Sequence, residues 1–377
     1  MAEENGTRFS SIDILKGIAI IGIVLVHVVI RRSEGGGETP LFMQTLYLIL
    51  MSFFLISGYF YRPGQGFKQS MKKRVLQLGV AITICSIVLP AIMLIWLFIV
   101  GQAPADPLNN YVEAVLRAMN ITNLFEPVDT ACICPLSGAS IGYYYIWVML
   151  GAFIIFYAFA DLVMDRWGNI CAMIIALLII TYLMVQYMGV RLPFFFHLAP
   201  IAAAFMFMGA ALAKVDIVGK IESFELGNVK YWLPLIVSAV ILVPLVILFH
   251  PGTGFDQFVF GNNGAPSVYS YFVQASAMFV ICIYITAFMS KIPGFTAFFT
   301  MFGKHSLGIL LLHGFFIKLF MAPFFELNEE MWFPGGLSMM QKVILSVTVF
   351  AACIIICEFG PRIVKKLMGK DHVPERI

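Results

Sequence analysis

The sequence predicts an all-α, polytopic integral membrane protein of about ten transmembrane helices. Of its 377 residues, 60% are hydrophobic and 12% are charged, whereas soluble domains carry about 25% charged residues. The hydrophobic residues are gathered into blocks of about 20, the length of a helix that crosses a hydrocarbon core of roughly 30 Å. Both observations exclude water as the main solvent of the chain.

Polar breaks divide the chain into ten apolar blocks. The first block contains Asp13 and Lys16 and is followed by no small-residue cleavage site, so we expect a retained helix and not a signal peptide. Prolines inside a block, such as Pro90, bend a membrane helix without ending it. The predicted spans are Ser11–Ile30, Leu41–Tyr61, Val75–Val100, Ile141–Ala160, Ile170–Met188, Pro193–Ala213, Tyr231–Phe249, Val268–Met289, Ser306–Phe325 and Lys342–Phe359.

The distribution of basic residues predicts that both termini are cytoplasmic. Of the 24 Lys and Arg residues, 17 lie on the side of the N-terminus and five on the other side, while Lys16 and Lys318 lie within spans. Cytoplasmic loops carry the excess of positive charge. We therefore expect a transmembrane domain over residues 1–360 and a short basic cytoplasmic tail over residues 361–377.

The remaining loops and the overall charge narrow the possible partners. The predicted outer loop Gly101–Ser140 contains an amphipathic stretch, Tyr111–Met119, and is either a lid that faces substrate or a packing element. A net charge of +3 without a basic stripe does not favour a nucleic-acid partner. Cys132 and Cys134 lack nearby histidines, so we expect no metal site.

Three ionisable side chains share one face of the first span. Lys16 and His27 are 11 residues apart, which is about 20° around a helix and about 16 Å along it, and Asp13 lies about 40° to the other side. Ionisable residues inside a membrane are costly and indicate function. The alternative is an interfacial salt pair of Asp13 and Lys16, with His27 as a packing residue.

Five segments together resemble the membrane acyltransferase 3 family over almost the whole chain. The first is Lys16, ten residues and then His27, where the family usually has Arg in place of this Lys. The others are an aromatic Ser-Gly segment, a basic stretch, an aromatic helix start and a late helix with a histidine. They are Phe53–Tyr59, Phe67–Leu78, Tyr145–Trp147 and Gly303–Leu307 with His313.

This resemblance implies transfer of an acyl group, usually acetyl from acetyl-CoA, to a hydroxyl of a glycan or a lipid-linked sugar. The expected partners are acyl-CoA, which is a donor substrate and not a permanently bound cofactor, the glycan or lipid-linked acceptor, and membrane lipid. Lys72, Lys73 and Arg74 are expected to attract the donor phosphates, and Ser57 is expected to bind the donor as well. Their stretch lacks the family's Arg-x-x-Arg spacing, and Lys binds phosphate as a point charge where Arg forms a planar fork.

His27 is the predicted catalytic residue, organised by Asp13 and Lys16. A neutral His27 either removes the proton from the acceptor hydroxyl or is acylated itself, and the sequence leaves both routes open. We predict substrate contacts for Tyr145, Trp147 and His313, although a core position explains His313 equally well. The resemblance implies a bacterial cytoplasmic (inner) membrane protein.

Two other classes of protein share parts of this pattern. A transporter or flippase of a glycan or lipid-linked intermediate has the same polar stripe along a pathway, but it needs no coenzyme A and tolerates loss of Lys72 and Lys73. A structural or signalling protein is disfavoured by a Lys and a His on one face of a membrane helix.

Overall fold

The computed structural model describes residues 9–29, 41–64, 66–119, 142–188, 192–223, 229–249, 267–323 and 337–368, and within these ranges it contains helices and no strand. The α-helices are α1 (Ser10–Val29), α2 (Leu41–Leu50), α3 (Ser52–Tyr59), α4 (Phe67–Ile99), α5 (Pro107–Ala118), α6 (Tyr143–Val163), α7 (Trp167–Thr181), α8 (Ala199–Lys214), α9 (Ile217–Glu222), α10 (Val229–Phe249), α11 (Val268–Met289), α12 (Pro293–Lys304), α13 (Ser306–Met321) and α14 (Met339–Met368). A 3₁₀ turn, Pro193–Leu198, leads into α8.

The helices confirm the all-α polytopic architecture. In the part of the chain that the structure describes, eight helices are long and apolar enough to cross a membrane, and they include α1, α4 and α6. The pair α12 and α13, bent by 72°, is a ninth candidate, and α2 with α3 forms a shorter apolar segment. The side of the membrane on which the termini lie stays a prediction.

Several helices differ from the predicted spans, and α12 and α4 are two examples. Helix α12 lies between two predicted spans and was not among them, because its 12 residues are too few to form a membrane-length block. Helix α4 begins at Phe67 and not at Val75, since Lys and Arg are good helix formers and extend the apolar span. Its segment Val75–Gly79 has π-helical hydrogen bonding.

Helix α1, which carries Asp13, Lys16 and His27, contacts α12 backbone to backbone. A Cβ added at Gly17 would collide with the carbonyl of Phe299, and one added at Gly303 would collide with the carbonyl of Asp13. Small residues allow this close approach between membrane helices. Helix α12, which was not among the predicted spans, therefore fixes the position of α1.

The amino end of α1 is fixed by α9. The fully buried Ser11 donates hydrogen bonds from its backbone N–H (2.8 Å) and its Oγ (2.6 Å) to Oε1 of Glu222. A carboxylate at a helix amino end also interacts favourably with the helix dipole. Both contacts hold α1, and with it Asp13, Lys16 and His27, in one register.

Candidate active site

Two histidines from opposite ends of the sequence meet inside the helical bundle. His27, near the end of α1, and His313, in the middle of α13, have ring centroids 5.3 Å apart and planes inclined by 33°. Helix α13 reaches this position because the chain turns by 72° at the junction with α12. The structure therefore brings the predicted catalytic residue His27 into contact with His313.

The backbone of α13 fixes the proton on the imidazole of His313. Its Nδ1 lies 3.0 Å from the carbonyl oxygen of Ile309 and 2.9 Å from that of Leu310. A carbonyl oxygen only accepts hydrogen bonds, so Nδ1 carries a proton, and in the neutral ring Nε2 is the basic nitrogen. Within the described residues, the buried Nε2 has no hydrogen-bond partner. His313 is thus held as a base with an available lone pair.

A cavity of about 30 Å³ adjoins His27. Its lining includes His27, Gly142, Tyr144 and Tyr145. One ordered water needs about 10–15 Å³, so the cavity accommodates water-sized groups and not a sugar. A substrate therefore has to displace side chains to reach the imidazoles.

Gly142 forms the wall of this cavity on the side of His313. Its φ of +86° is left-handed, and it caps the amino end of α6. A Cβ at this position would lie 3.3 Å from Cε1 of His313. Only glycine adopts this conformation without strain, so both the turn and the space beside the imidazole require the absence of a side chain.

Tyr145 is positioned beside His27 by the break between α2 and α3. Its OH donates to the carbonyl of Leu50 (2.8 Å). The N–H of Phe54, the usual α-helical partner of that carbonyl, bonds instead to Met51 O (3.1 Å). Side chains and neighbouring helices often satisfy the backbone at such breaks in membrane helices. The break between α2 and α3 therefore orients the side chain of Tyr145 toward the cavity beside His27.

The structure separates Trp147 from this cavity. Its Nε1 donates to the carbonyl of Ala118 (3.0 Å), and its ring lies 4.8 Å from that of Phe194 between centroids. Trp147 borders a second, wider groove between α4 and α6. It also anchors α5, which contains most of the amphipathic stretch of the predicted outer loop, to α6. Whether Tyr145 and Trp147 contact substrate stays a prediction.

Asp13 and Lys16 lie far from the two imidazoles. The Lys16 ammonium is 3.5 Å from Asp13 Oδ1, and both side chains are partly exposed. They precede His27 by 14 and 11 residues in the continuous helix α1, or about 21 and 16 Å along its axis. Direct contact with His27 is excluded by this separation, so any organising role of the pair is exerted along α1.

The basic residues predicted to bind donor phosphates lie in the first turns of α4. Lys72 and Lys73 are exposed, and the guanidinium of Arg74 lies 4.7 Å above the ring centroid of Phe153. Among the described residues, these three cations form no ion pair with a carboxylate. They are consequently available to an anionic ligand. Ser57 Oγ donates to the carbonyl of Phe53 (2.8 Å) and retains acceptor capacity.

Aromatic side chains extend from Arg74 toward the end of α3. Tyr157 stacks on Phe153 with 5.6 Å between ring centroids, and Tyr61 contacts Tyr157 at 6.2 Å. The Tyr61 OH donates to Asp161. In this contact the phenol of Tyr61 is the donor and the carboxylate of Asp161 is the acceptor.

Backbone strain occurs next to the cavity. Phe194 and Phe195 have left-handed φ values of 56° in the 3₁₀ turn, a conformation that costs about 1–3 kcal/mol at a non-glycine residue. The N–H of Phe194 donates to Met119 O (3.0 Å), and the ring of Phe195 lies 5.8 Å from that of Tyr144. These contacts maintain an aromatic wall behind the cavity.

The fold and this site define a polytopic membrane protein with two touching imidazoles, that of His313 buried and that of His27 partly buried, a constellation suited to proton or acyl transfer. A family model described as an acyltransferase domain, that of the acyltransferase 3 family, matches residues 9–358. The chain therefore belongs to the membrane acyltransferase 3 family and is a membrane acyltransferase. The comparisons with curated proteins and with solved structures gave no match.

Proposed function

We propose that the protein transfers an acyl group, first of all acetyl, from cytoplasmic acyl-CoA to a hydroxyl of a glycan or lipid-linked sugar at a bacterial cytoplasmic membrane. The observation that carries this proposal is the contact of His27 with His313, whose ring centroids are 5.3 Å apart. One imidazole has a fixed tautomer and a basic Nε2. Acyl transfer to a hydroxyl needs a group of this kind to accept the hydroxyl proton.

The spacing between cations and imidazoles supports a coenzyme A thioester as the donor. Arg74 rests on Phe153, which is eight residues from Tyr145 on α6, or about 12 Å along the helix. On α1, Lys16 is about 16 Å from His27 along the axis. Both distances are within the length of a pantetheine arm. With its phosphates near Lys72, Lys73 and Arg74, the donor can present its thioester near His27.

The chemistry takes one of two routes. In direct transfer, an imidazole accepts the hydroxyl proton as the hydroxyl oxygen attacks the thioester carbonyl; the C–S bond breaks, the C–O bond forms, and the proton passes to the departing coenzyme A thiolate. In the covalent route, the imidazole of His27 attacks the thioester carbonyl, the C–S bond breaks and coenzyme A leaves as its thiolate. Nε2 of His313 then accepts the proton of the hydroxyl that attacks the acyl group on His27, the C–N bond breaks as the C–O bond forms, and the proton passes to the thiolate. The imidazole pair serves either route.

The test uses purified protein in lipid nanodiscs and measures acetyl-CoA binding and thiol release. We expect His27→Ala and His313→Ala to bind donor normally and to lose at least about 100-fold in turnover. The triple change of Lys72, Lys73 and Arg74 to Gln should weaken binding, whereas Lys291→Gln, an exposed lysine elsewhere, should have no effect. Thermal unfolding of each variant controls for misfolding.

Two results would argue against this assignment. If the wild-type protein neither binds nor consumes any acyl-CoA, the transporter interpretation takes precedence. If the His27 variant turns over donor at the wild-type rate with a glycan acceptor present, the imidazole pair is not the reaction centre. Incubation with donor alone, followed by mass spectrometry, separates the two chemical routes, because only the covalent route acylates His27.

A further inference from the structure

An apolar groove of about 460 Å³ lies between α4 and α6, apart from the imidazole cavity. Its lining is apolar except for one threonine, and it shares no lining residue with that cavity. Several lining side chains, including those of Val75, Ile84 and Ile154, are exposed. The groove therefore opens outward at the surface that faces the membrane.

The backbone of α4 creates this groove. Its π-helical segment Val75–Gly79 places a residue without a side chain opposite α6. A Cβ at Gly79 would lie 3.6 Å from Val75 Cγ1 and 3.7 Å from Leu150 Cδ1, which is ordinary contact. Thr83 Oγ1 donates to the carbonyl of Gly79 (2.7 Å) and satisfies it. π-turns of this kind are frequent at functional sites.

Two lysines stand at one end of the groove. Lys68 and Lys72 lie at helical spacing with Met71 and Val75, which line the groove, so the four residues share one face of α4. Both lysines are exposed, and among the described residues neither pairs with a carboxylate. Arg74 points elsewhere, over the ring of Phe153. The cations of α4 thus divide between two faces.

We propose that this groove binds one anionic phospholipid, with an acyl chain along α4 from Met71 to Ile84 and the headgroup phosphate at Lys68. Ile84 follows Met71 by 13 positions, or about 20 Å along the helix, which is more than half of a hydrocarbon core of roughly 30 Å. An acyl chain of a phospholipid in one leaflet therefore fits along the groove. A lysine beside a membrane attracts an anionic headgroup, and the apolar lining accepts the chain. This inference goes beyond the proposed acyl transfer and does not depend on it.

The experiment is native mass spectrometry of the detergent-purified protein, titrated with phosphatidylglycerol or with phosphatidylcholine of the same chains. We expect one molecule of phosphatidylglycerol to bind more tightly than phosphatidylcholine. Lys68→Gln should lower the affinity for phosphatidylglycerol about fivefold. Gly79→Leu, which fills the groove, should lower the affinity for both lipids. Lys73→Gln, on another face of α4, is the matched control and should leave lipid binding unchanged.

Three outcomes would overturn this inference. Equal affinity for both phospholipids would mean that only annular lipid binds. Unchanged lipid binding in Gly79→Leu, with unchanged thermal unfolding, would exclude the groove. Displacement of phosphatidylglycerol by a long-chain acyl-CoA but not by acetyl-CoA would assign the groove to the donor. Acetyl-CoA binding by the Lys68 and Gly79 variants is measured in parallel, so failure of the lipid site is distinguished from failure of the acyltransferase proposal.

Discussion

At the scale of single residues, the site depends on hydrogen bonds that decide which nitrogen is basic. His313 donates from Nδ1 to the carbonyls of its own helix turn, so its Nε2 is basic, and among the described residues no carboxylate pairs with this ring. The neighbouring Gly142 leaves the space that the ring needs. The imidazole of His313 is therefore oriented by backbone alone, as outer-shell carbonyls orient metal-binding histidines.

The first prediction concerns that glycine. Gly142→Ala should lower the free energy of unfolding by about 1–2 kcal/mol, because a left-handed φ strains any residue with a Cβ. It should also lower turnover, since the new methyl group presses on Cε1 of His313. Thermal unfolding and thiol release measure both effects. Gly168→Ala is the control: a Cβ there meets no atom within 4 Å, so stability should be unchanged or slightly higher.

At the scale of helices, the position of α1 determines which residues meet. Glu222 holds its amino end, and α12 contacts it through Gly17 and Gly303. Because an α-helix is stiff, fixing one end also fixes the height of His27 relative to α13. The short helices α9 and α12 therefore contribute to the site although neither provides a reacting group.

The second prediction tests the contact between α9 and α1. Glu222→Ala should lower the free energy of unfolding by about 1–3 kcal/mol, because the buried N–H and Oγ of Ser11 lose their acceptor. Glu222→Gln should retain most of this stability, since the amide oxygen still accepts. Thermal unfolding in detergent compares the two variants. Equal losses would mean that charge, and not hydrogen bonding, holds the end of α1.

The third prediction concerns the crossing of α3 and α8. A Cβ at Gly209 would collide with the carbonyl of Leu55, so Gly209→Ala requires a backbone shift. Overpacking of this kind costs about 1–3 kcal/mol. Gly294→Ala, where a Cβ meets no atom within 4 Å, should cost nothing comparable. The measurement compares the unfolding temperatures of the two variants. Equal temperatures would show that α3 and α8 accommodate the added methyl group without a loss of stability.

At the scale of the whole molecule, the sequence predicted the helices that coincide with blocks of hydrophobic residues. The span Val268–Met289 matches α11 residue for residue, and the first predicted span differs from α1 by one residue at each end. Helix α12 escaped prediction because 12 residues do not form a membrane-length block. A block of apolar residues indicates a helix that crosses the lipid bilayer. It does not indicate a short helix that packs against another helix.

The site was only partly predictable for a different reason. His27 was found because a polar stripe on one helix is a local pattern, but its contact with His313 joins residues 286 positions apart. Tyr145 and Trp147 were grouped as substrate contacts, yet residues two apart on a helix point in different directions. The structure places Tyr145 at the cavity and Trp147 at the groove.

The last prediction concerns the orientation of the whole molecule, on which the proposed use of cytoplasmic acyl-CoA depends. The test introduces one cysteine at Ala105 or at Lys291, both exposed, into a chain whose seven native cysteines are replaced. A membrane-impermeant maleimide should label Ala105→Cys in intact cells and should label Lys291→Cys only after permeabilisation. That result follows from the excess of Lys and Arg on the side of Lys291. The opposite labelling pattern would place Lys72, Lys73 and Arg74 outside the cell, where coenzyme A is lacking, and would contradict a cytoplasmic donor.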